Sequence, residues 1–407
     1  MNARPTVLMI AYTYYQSDPR VIREAEAAVS AGFEVDFFAL RRENDPSVEE
    51  IRGVRVCHLR QSRYRGKGRL RYLLSYLEFF VRCFFKTTAR SLKKRYRIIH
   101  VNNMPDFLVF CTLIPKLLGA KVILDIHDPM PNTFASKFKS GERGFFYRVL
   151  LWQELLSVWY SDRTLTVHEP VKNGVLVKHG LRPEAIHTIC NFADDELFQL
   201  RPAYAVNGKV HLVFHGTILE RSGLRNLVLA LSQVKHRERI DVKIIGEGDF
   251  SEPLKQLIGS LCLQNVVHFD NRSYPVREIP QQLTDCNLGL VPLEISSITN
   301  HALPLKLLEY TSLGLPVVTV RNAAITYYFK EEDCLFYQWD DVSSLAGILD
   351  RVAQSPELLL AYRQKAVALR EKFLWSKEKR KYMALLHELS GLQEARSANS
   401  CTLLKEI

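Results

Sequence analysis

Several signatures are missing from this chain of 407 residues. No stretch approaches the roughly 20 uncharged apolar residues needed to cross a bilayer, so no transmembrane helix is expected. Met1 to Ala11 runs straight into an apolar strand pattern, VLMIAY, without the layout of a secretory leader. The eight cysteines, at 57, 83, 111, 190, 262, 286, 334 and 401, include no Cys-x-x-Cys pair. That scatter excludes a disulfide framework and a structural zinc, and it suits a reducing cytoplasm. No Asp-x-Asp pair occurs, short repeats are absent, and no nucleic-acid module accompanies the basic residues.

Acidic residues are scarce in one place in particular. Net charge is +11, and between Arg60 and Arg97 thirteen Lys or Arg stand against one acid, Glu78, a local excess of twelve. Basic character is therefore a local device. The middle of the segment, Tyr72 to Phe85, reads YLLSYLEFFVRCFF. Aromatic and aliphatic residues enclosed by cations suit a helix lying in a membrane interface, its cations toward anionic headgroups. They also suit a core helix with a basic outer edge, and one helix can do both. The expectation is a peripheral contact of residues 60–97 with an anionic membrane surface, and no nucleic-acid partner.

What is present is the layout of two α/β units. The length exceeds one ordinary core, and 47% hydrophobic with 24% charged residues is ordinary for a globular chain. Thr6 to Ala11 predicts a buried strand, Asp18 caps a helix with Pro19 at its first position, Gly32 stops it, and Val35 to Leu40 is the next strand. Further strands are predicted at Ile98–Val101, Lys121–Ile126 and Arg163–Val167, with a long amphipathic helix over Glu142–Tyr160. Pro202 to Lys209 has linker composition, and Val210 to Phe214 restarts the strand–turn–helix logic. The organising stretch is His301 to Val318, HALPLKLLEYTSLGLPVV. It reads as a loop, a helix carrying one acid, Glu309, a Gly314 stop and a β-branched strand. Such a corner offers helix N–H groups to an anion and a carboxylate to sugar hydroxyls.

The pattern P-x-K-x-x-E-Y followed by G-x-P-V-V resembles the nucleotide-sugar corner of GT-B glycosyltransferases of family 4, and the likeness extends over most of the chain. D-P-R-V-x-R-E-A from Asp18 is similar to the family's opening, D-I-H-D-P at 125–129 to its acceptor-side loop, and TICNFADDELF at 188–198 to the exit from its first domain. The resemblance implies two doubly wound Rossmann-like α/β domains facing across a cleft. An acceptor-side domain would cover 1–200 and a nucleotide-sugar domain 208–372. A helix at 373–390 would cross back to the first domain, and 391–407 would be a flexible tail.

The resemblance also implies site roles. Glu309 would hold the donor ribose. Gly216, Thr217, Arg221, Gly246, Glu247, Asn271, His301 and Lys306 would complete the donor side. His127, beside Asp128, would face the reacting sugar, since His is a competent proton carrier that an adjacent acid can orient or charge. Tyr14, Gln16, Asp18, Asn103 and Asn191 would line the acceptor side. Two departures stand out: His301 occupies the position of a second acid in many members, and Thr217 stands where an Arg is frequent. The implied activity is retaining transfer from a nucleoside-diphosphate sugar, UDP- or GDP-linked, to a glycan hydroxyl. The acceptor would be lipid-linked, at the cytoplasmic membrane face, in polysaccharide synthesis. Without an Asp-x-Asp pair, neither a metal nor another cofactor is expected. Two alternatives are a sugar-nucleotide 2-epimerase of the same architecture and a non-catalytic membrane-associated scaffold.

Overall fold

The computed structural model describes residues 4–64, 66, 68–138, 144–202, 208–297 and 299–391. Arg65 and Lys67 of the basic segment, the expected helix start at Glu142, most of the linker and the tail beyond Gly391 lie outside the described residues.

The first sheet is built from β1 (Thr6–Ala11), β2 (Glu34–Leu40), β3 (Val48–Ile51), β4 (Val54–Leu59), β5 (Ile98–Asn102), β6 (Lys121–Ile126), β7 (Arg163–Thr166) and β8 (Ile186–Thr188). Their order is β3-β4-β2-β1-β5-β6-β7-β8, parallel except for β3 against β4. Every residue of β1 is buried because both faces of the sheet are covered. Leu8 and Ile10 enter the core under α2 (Arg69–Ser91), α3 (Leu113–Leu117), α4 (Met130–Lys137) and α5 (Phe145–Tyr160). Val7 and Met9 point the other way, toward α1 (Pro19–Ser30) and the C-terminal helix Trp375–Ser390.

The second sheet comprises β9 (Val210–His215), β10 (Ile240–Ile245), β11 (Val267–Asp270), β12 (Leu288–Val291), β13 (Val317–Val320) and β14 (Leu335–Tyr337), all parallel, in the order β11-β10-β9-β12-β13-β14. The corner helix Leu305–Leu313 ends at Gly314, whose φ of +73° suits the left-handed stop. The chain then returns to the first sheet. Tyr382 on the C-terminal helix places its hydroxyl 2.7 Å from His100 Nδ1, and Glu378 accepts the Cys190 N–H at 2.8 Å.

Some local expectations need correction. Asp18 precedes α1 but makes no capping bond; its carboxylate lies 3.9 Å from Arg20, whose buried guanidinium also faces Asp125 at 3.7 Å. A neighbouring fixed cation has taken the place of the helix N–H groups. The hairpin β3–β4 was not expected. Its signal was a two-residue turn, Arg52-Gly53, with φ of 51° and 79°, the paired positive values such a turn needs. β14 is too short for periodicity to reveal. Among the described residues no helix is long and apolar enough to cross a membrane.

Candidate active site

In the second domain, β9 ends at His215 and delivers Gly216, and beside it β10 ends at Ile245 and delivers Gly246. Gly246 has φ +140°, and a Cβ there would lie 1.9 Å from the Gly216 carbonyl oxygen. Only glycine allows the two turns to touch. Glu309 comes up from the corner helix, 5% exposed, with Oε2 at 2.8 Å from His215 Nε2. His215 Nδ1 lies 2.9 Å from the Tyr310 hydroxyl. The two ring nitrogens of His215 thus bridge the carboxylate and the phenol, whose hydroxyl also reaches the Val213 carbonyl at 3.1 Å. Glu309 is thereby oriented by one oxygen, and among the described residues nothing bonds Oε1.

Lys306 extends its ammonium over the Phe214 ring, 3.6 Å from the centroid, and close under Gly216. Burial depresses its pKa to about 7, with Glu309 acting the other way. Arg221 lies in an exposed turn before the helix Leu224–Gln233, and its charge acts on Asp128 across the cleft. Thr217 and Glu247 are exposed at the same edge and shape it through their carbonyls, which accept from Ser222 Oγ and the Ile218 N–H. Asn271 is exposed in the loop after β11, with no described bond to this corner.

In the first domain, β6 delivers His127 and Asp128. Asn103, from the adjacent β5 loop, clamps that turn. Its Oδ1 accepts the His127 and Asp128 N–H groups at 3.2 and 3.4 Å, and its Nδ2 donates to the Asp128 carbonyl and to Asp106 at 2.8 and 2.7 Å. Asn103 is itself buried, so it positions the loop instead of lining the acceptor side. The His127 imidazole is held well below its ordinary pKa, first by desolvation and then by Arg20. Asp128 Oδ2 is 3.9 Å from His127 Nε2, and the idea that this acid charges the ring is not supported: His127 is neutral at pH 7. Desolvation by the cleft walls raises the Asp128 carboxyl, with Arg20 and Arg221 acting the other way, and its side chain is 60% exposed.

The two halves meet at a cavity of about 260 Å³. Arg20, His127, Asp128, His168 and Asn191 line it from the first domain, and Ser297, His301 and Leu303 from the second. His301 packs so closely on the first domain that a Cβ on Gly174 would sit 2.6 Å from its ring. Asn191 accepts a bond from Arg23, which also reaches the Phe192 carbonyl at 2.6 Å. Tyr14 and Gln16 are not among the lining residues; the Tyr14 hydroxyl accepts from the Arg63 N–H at 2.9 Å, and Gln16 is exposed.

Sequence reasoning missed Arg20, His168 and His215. Arg20 was already inside the quoted D-P-R phrase, and His215 inside the His-Gly-Thr turn. His168 carried no signal, because only packing brings it to the cavity. Beneath the site, Glu24, His100 and Asp125 place possible metal-ligating atoms within 4.8 Å of one another, all buried. Arg20 already faces Asp125, and burial with the Asp125 charge holds the Glu24 carboxyl well above its ordinary pKa. Those groups are better satisfied by a shared proton and Arg20 than by a cation.

Two facing Rossmann-like sheets with a polar cleft at their strand ends define the GT-B class. Across most of their lengths the two halves match described families: residues 20–197 match Glycosyltransferase Family 4, and 199–368 match Glycosyl transferases group 1. The chain belongs to the family 4, group 1 glycosyltransferases. It is 26% identical over 276 residues to a putative colanic acid biosynthesis glycosyl transferase, WcaI, of Escherichia coli (strain K12), a match covering 63% of each chain. Sucrose-phosphate synthase of Thermosynechococcus elongatus shares the fold, with a TM-score of 0.73 and 17% identity over 95% of this chain and all of that one. HepE of Anabaena in complex with UDP does so with a TM-score of 0.65 and 14% identity, over 94% of this chain and 100% of that one.

Proposed function

We propose that this protein transfers a glycosyl group from a nucleoside-diphosphate sugar, UDP- or GDP-linked, to a hydroxyl of a glycan acceptor. The product keeps its anomeric configuration, and the setting is surface polysaccharide assembly. The observation that carries this reading is the convergence of two differently built walls on one cleft: Glu309 oriented by His215 on one side, and His127 clamped by Asn103 on the other.

Glu309 takes the ribose hydroxyls. Lys306, Arg221 and the N–H groups at the start of the corner helix meet the diphosphate, whose charge grows as the sugar–phosphate bond breaks. These cations supply the stabilisation that a metal supplies elsewhere, so transfer is metal-independent. Neutral His127 acts as a hydrogen-bond partner of the transferred sugar, and Asp128 stands at the acceptor side. The acceptor is lipid-linked and presented at the cytoplasmic membrane face, a reading supported by the basic segment 60–97.

Purified protein is tested in a thermal-shift panel of nucleoside diphosphates and their sugars. A nucleotide present at a hundred times its dissociation constant adds about 2.7 kcal/mol of stability. One base giving a clear shift names the donor. Flat responses to every nucleotide and nucleotide sugar would sink the transferase reading in favour of a scaffold.

A further inference from the structure

Helix α2 has two apolar faces. Tyr72, Tyr76, Phe79 and Cys83 are buried in the first-domain core. Leu70, Leu74, Leu77, Val81 and Phe85 recur at the same three-to-four spacing on the opposite side, and all are exposed, Leu70 by 70%. The neighbouring α3 repeats this: Leu117 is 75% exposed. So does α5, where Phe145, Val149, Trp152 and Trp159 follow one helical stripe, the two indoles 66% and 83% exposed.

All three helices cover the same face of the first sheet, and α2 and α5 both pack on the segment Asp106–Thr112 between them. Their outward sides therefore face the same way. Fourteen of the eighteen large apolar side chains exposed among the described residues lie on this layer or its immediate ends. Scattered exposed apolar groups need no explanation, but such concentration marks a docking surface.

We infer that the outer side of the α2–α3–α5 layer is a single docking surface for an anionic lipid bilayer, with the tryptophans of α5 supplying the part that the basic segment does not. This rests on the proposed function only in that both place the acceptor at a membrane. Charge decides the occupant. Exposed Arg71, Arg82, Lys93, Arg95 and Arg148 accompany the stripes. A second copy on this face would oppose two segments that each carry an excess of twelve positive charges. An anionic bilayer neutralises those charges, accepts the leucines and phenylalanines, and seats indoles at its interface. Insertion is shallow because the stripes belong to helices whose opposite sides hold the domain core.

The test uses the full chain with phosphatidylcholine vesicles, with and without phosphatidylglycerol. The wild type should sediment with the anionic vesicles, and brominated lipid should quench its tryptophan fluorescence. W152A/W159A should bind at least about tenfold more weakly, given the apolar area removed, with circular dichroism and Tm unchanged. Equal binding by this double variant would overturn the α5 surface while leaving segment 60–97 as the membrane contact. Wild-type protein that ignores anionic vesicles and runs as a stable dimer would overturn the bilayer as occupant. Neither result involves nucleotide binding, which the thermal-shift panel judges separately.

Discussion

The two domains share a layout and differ in how they hold their functional groups. In the second, the key acid is fixed by a chain of near neighbours: Glu309 to His215, His215 to Tyr310, Tyr310 to the Val213 carbonyl. In the first, the reactive loop lies above buried charge. Arg20 faces Asp125 and Asp18, Glu24 and His100 lie beneath, and Tyr382 of the C-terminal helix closes the cluster. Burial first, and then the charge of Arg20, keeps His127 uncharged. The donor corner is thus preformed from short-range contacts, whereas the acceptor side depends on a network that includes the last helix.

The sharpest way to break this contrast is Glu309→Ala. It should weaken nucleotide affinity by about 1–3 kcal/mol, because hydroxyl bonds to a charged group are lost. Calorimetric titration with the nucleotide found in the thermal panel reads the change. Unchanged affinity would remove Glu309 from the donor site.

Asn103→Ala comes next. It strips the clamp from the His127 turn and leaves buried groups unpaired, so stability should fall by about 1–2 kcal/mol and kcat should drop, while nucleotide affinity stays. A parallel loss of nucleotide affinity would show that the halves are not independent.

The smallest effect concerns Lys306. Its folded pKa, about 7, lies below the ordinary 10.5, so the unfolded chain binds more protons between those values. The sign follows: the stability cost of this lysine is full below pH 7 and is relieved as pH rises toward 10.5. A bound diphosphate opposes the depression. Nucleotide binding at pH 8 should therefore take up a fraction of a proton, measurable by titration calorimetry in buffers of different ionisation enthalpy. Lys306→Gln should abolish that uptake.

Much of this molecule is legible in its sequence. Buried strands such as Thr6–Ala11 and Val317–Val320 announce themselves, since both their faces must be apolar. The corner from Leu305 to Gly314 carries its acid, its helix and its stop within ten residues. The hairpin Val48–Leu59 is signalled only by its two-residue turn, Arg52-Gly53.

The sequence by itself determined the two α/β halves, the family motifs and the concentration of positive charge, because each depends on residues near one another in the chain. Tertiary structure alone decided that Asn103 is a clamp, that His301 closes on Gly174, that His168 reaches the cavity and that Asp18 serves Arg20 instead of a helix end. It also decided that α2 and α5 cover the same face of the first sheet. Each of these pairs elements far apart in sequence, and burial and charge at such meetings are set by whatever the fold packs there.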